Sequence, residues 1–125
     1  MANEYILCSP KVCPKARAVQ PREYDIPAED LIARMDKVVL TQPRITVIDK
    51  FTKDTPLKKE YVQRSLIFQW PDVITIEAIP LEEKKSTLAI HSYSIYGAGD
   101  LGVNGNRVRS WVGLLEDDIN DVVRK

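Results

Sequence analysis

The chain has 125 residues, of which 44% are hydrophobic and 29% charged, as in an ordinary folded domain rather than a disordered or low-complexity chain. Lysine plus arginine and aspartate plus glutamate each number 18, so the formal net charge is zero and gives no general attraction to nucleic acid or an anionic membrane. No apolar run reaches the roughly 20 residues that cross a bilayer, and the start of the chain lacks the pattern of a secretion signal. We therefore predict a single domain over residues 1–125, a cytoplasmic location, no membrane span and no nucleic-acid partner.

Two cysteines, Cys8 and Cys13, lie close together in a proline-containing stretch near the start of the chain. Thiols stay reduced in the cytosol, so we expect both cysteines to be free. A disulfide between them and a zinc site are the alternatives. Zinc needs ligands beyond a pair of thiolates, and the chain's one histidine, His91, lies far away in sequence. We therefore expect no metal and no cofactor.

Prolines divide the first part of the chain. Those in residues 1–24 are spaced so that no helix fits, which predicts an extended N-terminal arm across the domain. A helix is predicted to begin at Pro27, because proline suits the first helical position. It should end before Pro43, because the residue ahead of a proline avoids helical angles. Its apolar residues recur at helical spacing and form one stripe, made of Leu31, Met35, Val38 and Val39.

After this helix the hydrophobic period changes to two. Residues rich in β-branched side chains predict four strands, at 44–51, 60–70, 73–79 and 86–96. Short connections, among them a tight turn at Pro71 and Asp72, predict an antiparallel meander, because parallel neighbours need crossover helices. A last helix is predicted from Asn104, with an apolar face of Val108, Trp111, Leu115, Ile119 and Val122. The predicted fold class is α+β, a four-stranded antiparallel meander packed by an N-terminal and a C-terminal helix in a two-layer sandwich.

Strand alternation assigns the side chains to faces. In the fourth predicted strand, Ser92 and Ser94 follow the more apolar set and should face the helices, whereas His91 points the other way. In the second predicted strand, Arg64 interrupts an apolar row made of Val62, Leu66, Phe68 and Trp70. Either Arg64 is buried with an acidic partner, for which Asp100 is the candidate, or its head lies in water at the strand end.

The stretch between the last strand and the last helix, residues 92–107, holds four of the chain's five glycines. Glycine permits backbone angles that other residues avoid, so this stretch is the best candidate for a site. Three of these glycines define the loop itself: Gly97, Gly99 and Gly102. They spell the outline of a dinucleotide-binding turn, but that motif needs a parallel βαβ unit, which the predicted order of elements excludes.

Arg107 lies in the first turns of the last helix, where the helix dipole disfavours a positive charge. Either Asp100 accepts hydrogen bonds from Arg107 and locks the loop, or Arg107 and the free N–H groups of the helix form a cradle for an anionic ligand. We favour the internal lock, because Asp100 already supplies the negative charge. Asn104 is predicted to cap the helix. A triad of His91, Ser92 and Asp100 is excluded, because neighbours on a strand point to opposite faces.

Two segments carry a resemblance to a known family. SLIFQWPDVITIEA and HSYSIYGAGDLGVNGNRVRSW resemble the bacterial and plastid family catalogued as domain of unknown function 1499. The family hallmark falls on Ser92, Ser94, Gly97, Asp100, Leu101, Gly102, Val103, Asn104 and Arg107, and Arg64, Ser65 and Asp72 resemble further family positions. The resemblance implies a family-like core over residues 26–116. It implies no activity, because the family has no agreed one, and its members are often exported or attached to membranes.

The polar residues near the glycine-rich loop predict a small non-catalytic binding or scaffold module, with a polar cluster of Arg64, Ser92, Ser94, Asp100, Asn104 and Arg107. The partner is then a small anionic ligand or a protein. One alternative is an enzyme that uses Asp100 as base and Arg107 to hold an anionic substrate. Another is a protein-interaction domain whose working surface is the other sheet face, with Tyr61, Tyr93 and Ile95 exposed.

Overall fold

A computed structural model of the chain describes residues 4–14, 17–48, 55–96 and 102–124. The fold is α+β, with two helices and a mostly antiparallel sheet of six strands. In chain order the elements are β1 (Glu4–Leu7), β2 (Glu23–Tyr24), α1 (Ala28–Leu40), β3 (Ile45–Ile48), β4 (Lys58–Arg64), β5 (Pro71–Glu82), β6 (Lys85–Ser94) and α2 (Val103–Arg124). Neither helix is, within the described residues, long and apolar enough to cross a membrane.

The sheet has the strand order β1-β6-β5-β4-β3, and β2 also pairs with β6. Strands β3 to β6 form an antiparallel meander, as the sequence predicts. The strand count of four is wrong, because β1 and β2, which lie within the predicted N-terminal arm, pair antiparallel with β6. Each is too short to show an alternating pattern in the sequence, so pairing with the edge of β6 decides its conformation.

The two cysteines form a disulfide, so the expectation of free thiols is wrong. The N–H groups of Val12 and Cys13 both donate to the carbonyl oxygen of Ser9 at 2.9 Å, which closes a tight turn. This turn brings the Cα atoms of Cys8 and Cys13 to 6.1 Å, a separation that a disulfide spans. The N–H of Cys8 also donates to the carbonyl of Val19 at 2.9 Å, so the turn is fixed against the following segment.

Helix α1 lies close to its predicted bounds. Glu29 and Asp30 lie in its first turn and Lys37 in its last, each at the end that the helix dipole favours. Thr41 ends the helix, and its hydroxyl donates to the carbonyl of Val38 at 2.6 Å. The predicted apolar stripe is buried and packs in the core, together with Ala28 and Ile32. Burial of each of these large side chains contributes about 1.5–3 kcal/mol.

Helix α2 begins directly after Gly102, whose φ of 83° is a left-handed value that suits glycine. A Cβ at Gly105 would lie 3.1 Å from the ring of Tyr5, so glycine allows α2 to approach β1 closely. Of the predicted apolar face, Val108, Trp111 and Leu115 are buried in the core and Ile119 packs against it, whereas the side chain of Val122 lies outside the described set.

The prediction that the second strand continues to residue 70 is wrong. Strand β4 ends at Arg64, and a turn closed by a hydrogen bond from the Ser65 N–H to the Trp70 carbonyl, at 3.0 Å, leads into β5. The predicted turn residue Pro71 is therefore the first residue of β5. The prediction that Tyr61 is exposed on the other sheet face is also wrong. Tyr61 is fully buried on the helix side and donates its hydroxyl to the Asp36 carboxylate at 2.6 Å. Burial first, and this hydrogen bond second, raise the pKa of Tyr61.

An ion-pair group joins the two helices. The Asp118 carboxylate on α2 accepts from Arg34 Nη1 at 2.8 Å and from Lys37 Nζ at 3.2 Å, both on α1. The hydrogen bond from Arg34 is the main cause that lowers the pKa of Asp118 below its ordinary value. A lowered pKa means that the folded state stabilises the ionised carboxylate, so this stabilisation exists above the ordinary pKa and disappears as acid protonates Asp118.

We expect Asp118→Asn to lower the free energy of unfolding near neutral pH by up to about 1 kcal/mol, because the pair is partly solvated. The difference between the variant and the parent should shrink as the pH falls below the ordinary pKa of 3.8, and it should vanish only below the lowered pKa of the folded state, where Asp118 is protonated in both states of the parent. Urea unfolding across this pH range measures it. Asp117→Asn, which alters an exposed neighbour, is the matched control. A pH-independent difference would contradict the assignment.

Candidate functional site

A polar row crosses the sheet at the end where α2 begins. The strand registers place Gln63 of β4 opposite Asp72 of β5, and Asp72 opposite Ser94 of β6. The row is two residues along from Tyr61, Ile74 and Ser92, which are opposite one another in the same strands. Because side chains alternate between faces, the polar row shares the helix side of the sheet with the buried Tyr61.

Arg107 lies over this row from the second turn of α2. Its Nε donates to Gln63 Oε1 at 2.7 Å, and its Nη2 donates to Asp72 Oδ2 at 2.6 Å. Its Nη1 donates to Asn104 Oδ1 at 2.7 Å and to Ser92 Oγ at 3.1 Å. The guanidinium therefore contacts strands β4, β5 and β6 and its own helix. Its planar arrangement of donors suits several partners at fixed angles, which a lysine would not match.

Asn104 and the two serines complete the arrangement. Asn104 is fully buried, and its Oδ1 accepts from the Ser92 hydroxyl at 2.7 Å. Its Nδ2 donates to Ser94 Oγ at 3.0 Å. The prediction that Asn104 caps α2 is therefore wrong, because the residue lies within the first turn and its side chain bonds to the sheet. We call Gln63, Asp72, Ser92, Ser94, Asn104 and Arg107 the arginine cluster.

The charges of the arginine cluster balance internally. The side chains of Arg107 and Asp72 are 9% and 15% exposed, and their charges cancel. Removing two ions from water is costly, and good hydrogen-bond geometry is needed to offset that cost. Arg107 therefore supplies a positive charge and several hydrogen bonds to this corner of the fold.

The structure brings together four residues of the predicted cluster: Ser92, Ser94, Asn104 and Arg107. Among the described residues, Arg64 has no hydrogen bond to these four. Its Nη1 donates to the carbonyl of Gln69 at 2.9 Å, and the residue is exposed at the end of β4. Asp100, Gly97 and Gly99 lie outside the described residues, and with them the predicted contact of Asp100 with Arg107. Gly102 directly precedes α2.

Sequence reasoning missed Gln63 and Asp72. Asp72 is predicted to lie in a turn, but it lies in β5 and supplies the carboxylate that Arg107 contacts. A β4 strand ending at Arg64 would have placed Gln63 and Asp72 opposite each other, since hairpin pairing fixes register. The position of the turn would therefore have indicated this pairing. The apolar run before Pro71 resembles a strand, so the sequence alone does not give that position.

An open cleft of about 450 Å³ lies beside the arginine cluster. Three of its lining residues are arginines, Arg44, Arg64 and Arg107, and one is the carboxylate residue Asp72. Neutral polar side chains supply further hydrogen-bonding groups: Gln42, Gln63, Ser65, Asn106 and Ser110. We call this space the arginine cleft. Its lining carries an excess of positive charge, although the chain as a whole carries none.

The other face of the sheet carries His91, whose Nε2 lies 2.6 Å from Glu4 Oε2. Ser92 points to α2 instead, so His91 and Ser92 lie on opposite faces, as strand alternation predicts. A second open cavity, of about 320 Å³, lies on the face of His91, and the disulfide forms part of its lining.

A family model described as protein of unknown function (DUF1499) matches residues 6–115. The match includes both segments that carry the resemblance and extends to β1. None of the curated proteins and none of the solved structures matches the chain.

We expect Asn104→Ala to lower the free energy of unfolding by about 2–3 kcal/mol, because it leaves buried hydrogen-bonding partners at Ser92, Ser94 and Arg107 incompletely satisfied. Asn106→Ala is the matched control. Asn106 lies on the same helix but is exposed and bonds to Arg109, so its loss should cost much less. Chemical unfolding of both variants measures the difference, and equal effects would contradict a role for Asn104 in joining α2 to the sheet.

Proposed function

The chain belongs to the DUF1499 family of proteins of unknown function, and we propose that it is a non-catalytic binding module that takes a small anionic ligand in the arginine cleft. The observation that carries this proposal is the charge of the cleft. Arg44 and Arg64 line it, and among the described residues neither has a carboxylate within the 4.0 Å of a salt bridge. Asp72, the acidic residue of the lining, already contacts Arg107.

The donors that line the arginine cleft suit an oxyanion. Guanidinium groups match the oxygens of phosphates and carboxylates, and the hydrogen bonds are strengthened by charge. Arg44 and Arg64 are held in place by backbone contacts, since Arg44 Nε donates to the Arg64 carbonyl at 2.8 Å and Arg64 Nη1 to that of Gln69. Such contacts reduce the entropy that the side chains would lose when they bind a ligand.

The hydrogen bond between Arg107 and Asp72, the carboxylate residue of the cleft, favours binding over catalysis. Asp72 accepts from Arg107 at 2.6 Å, and a general base must be able to leave its partner and reach a substrate proton. The alternative of an enzyme with Asp100 as base concerns a residue outside the described set. The alternative of an interaction surface with Tyr61 exposed loses one of its residues, because Tyr61 is buried.

Location bears on the ligand that the cleft would meet. The cytoplasmic location predicted from the sequence stays a prediction. The disulfide between Cys8 and Cys13 favours an oxidising compartment instead, because disulfides persist there and are reduced in the cytosol. The proposal of an anionic ligand does not depend on either location.

Titration with inorganic phosphate, citrate and glycerol phosphate, followed by thermal unfolding at low ionic strength, tests the proposal. A ligand that binds the folded state raises the unfolding temperature saturably. We expect at least one probe to do so, and Arg44→Gln and Arg64→Gln each to weaken its binding about tenfold, as loss of a charge-assisted hydrogen bond would.

Arg109→Gln is the matched control. Arg109 lies on α2 two residues after Arg107, yet its guanidinium lies over the ring of Tyr5, 5.5 Å from its centroid, and does not line the cleft. Its removal should leave the affinity unchanged. If no probe stabilises the protein, or if Arg109→Gln weakens binding as much as Arg64→Gln, the arginine cleft is not an anion site.

A further inference from the structure

The turn between β4 and β5 exposes an unusual amount of apolar surface. Leu66 is 70% exposed, Ile67 79%, Phe68 69% and Trp70 50%. The rings of Phe68 and Trp70 stack with their centroids 5.1 Å apart. We call these four residues the apolar tip. Contiguous exposed apolar groups of this kind mark contact sites, because single exposed apolar residues are common but clusters are not.

The turn at the opposite end of the sheet shows the ordinary composition. Glu83 and Lys84 connect β5 to β6, and both are exposed and charged. Strand β5 belongs to both hairpins, so the two turns mark its two ends. The turn at one end of β5 is therefore charged, whereas the turn at the other end holds four large apolar side chains beside Ser65 and Gln69.

Part of the backbone of the β4–β5 turn has internal hydrogen-bond partners. Ser65 N–H donates to the Trp70 carbonyl, and Trp70 N–H donates to Ser65 Oγ, both at 3.0 Å. Gln69 Nε2 donates to the Leu66 carbonyl at 3.1 Å, while Arg64 Nη1 donates to that of Gln69 at 2.9 Å. Gln69 has a φ of 57°, a left-handed conformation that its side-chain contact helps to hold. These contacts lower the cost of moving the turn out of water, where unpaired polar groups are expensive.

The surroundings of the tip combine apolar and positive groups. Ile95 and Tyr96 follow β6, and the Ile95 N–H donates to the carbonyl of Pro71, so this exposed apolar pair lies beside the start of β5. At the base of the tip are the guanidinium groups of Arg44 and Arg64, which among the described residues face no carboxylate within salt-bridge distance. Apolar groups at the end of a protrusion with cations behind them complement the acyl boundary and the phosphates of a lipid surface.

From this arrangement we propose that the apolar tip inserts into the headgroup and upper acyl region of a bilayer that contains anionic lipid. Trp70 then lies at the interface, where its ring is favoured, and Arg44 and Arg64 contact headgroup phosphates. The turn is suited to lipid rather than to a protein because its own contacts satisfy many of its polar groups. Insertion does not depend on the arginine cleft binding a free anion.

Tryptophan fluorescence of the full chain tests this proposal directly. The chain has two tryptophans, and Trp111 is 2% exposed whereas Trp70 is 50% exposed, so changes on adding vesicles report on Trp70. We expect vesicles of phosphatidylcholine mixed with phosphatidylglycerol to shift the emission to shorter wavelength and to protect it from acrylamide. Phe68→Ser should lower vesicle partitioning about tenfold or more, since it removes a large inserted apolar side chain.

Two matched controls distinguish insertion of the apolar tip from nonspecific adsorption to vesicles. Leu114→Ser alters an exposed apolar side chain on α2 and should leave partitioning unchanged. Arg44→Gln should weaken partitioning into the anionic vesicles, whereas Lys84→Gln, at the opposite end of the sheet, should not.

Three outcomes would overturn the proposal. The first is an unchanged Trp70 emission when the vesicles of phosphatidylcholine and phosphatidylglycerol are added. The second is equal partitioning of Phe68→Ser and the parent. The third is self-association in sedimentation velocity without lipid that protects Trp70 from acrylamide, because a second copy of the chain would then cover the tip. Anion binding in the cleft could still be observed in each case, so the two proposals fail separately.

Discussion

The contact between Arg107 and Asp72 joins the last helix to the centre of the sheet. It places one positive and one negative charge, 2.6 Å apart and mostly removed from water, at the point where α2 begins. Loss of either partner would leave the other charge buried without compensation, which typically costs about 3–5 kcal/mol. Gln63, Ser92 and Asn104 occupy further donors of the same guanidinium. The geometry of this corner therefore depends on a complete set of partners rather than on one bond.

This contact also explains why the charges of α2 run against its dipole. An arginine near the start of a helix and acidic residues near its end each cost a few tenths of a kcal/mol in isolation. Here Arg107 has Asp72 on β5, and Asp118 has Arg34 and Lys37 on α1. Contacts across the fold therefore offset a local disadvantage. Both ends of α2 are tied by charge, one to the sheet and the other to α1.

Periodicity was sufficient for the helices and for the meander, because Leu31, Met35 and Leu115 occupy apolar stripes that only a helix buries together. It was insufficient for β1 and β2, which are strands because β6 offers them an edge. The exposed position predicted for Tyr61 is wrong, because the apolar residues of the β4–β5 turn look like a continuing strand when the sequence is read alone. These turn residues lie on the surface and are not part of the core.

The sequence predicts only part of the candidate site, because local patterns group residues that are close together in the chain. Ser92, Asn104 and Arg107 lie in one stretch of sequence, so a local pattern could group them. Gln63 and Asp72 lie on β4 and β5, and the register of these strands brings them to the arginine cluster. A local sequence pattern does not contain that register. In the sequence, Asp100 lies among the glycines of the loop and is therefore the predicted partner of Arg107. The carboxylate that Arg107 contacts is that of Asp72, which lies 35 residues before Arg107.

A double-mutant cycle on Asp72→Asn and Arg107→Gln tests the account most directly, because it measures the coupling of the two side chains in the folded protein. The free energies of unfolding of the parent, both single variants and the double variant should give a coupling of about 1–3 kcal/mol. A parallel cycle on Asp72→Asn and Arg109→Gln should be additive, since Arg109 contacts Tyr5 and Asn106 instead. If the effects of Asp72→Asn and Arg107→Gln add to within about 0.5 kcal/mol, the pair does not hold α2 to the sheet and the account is wrong.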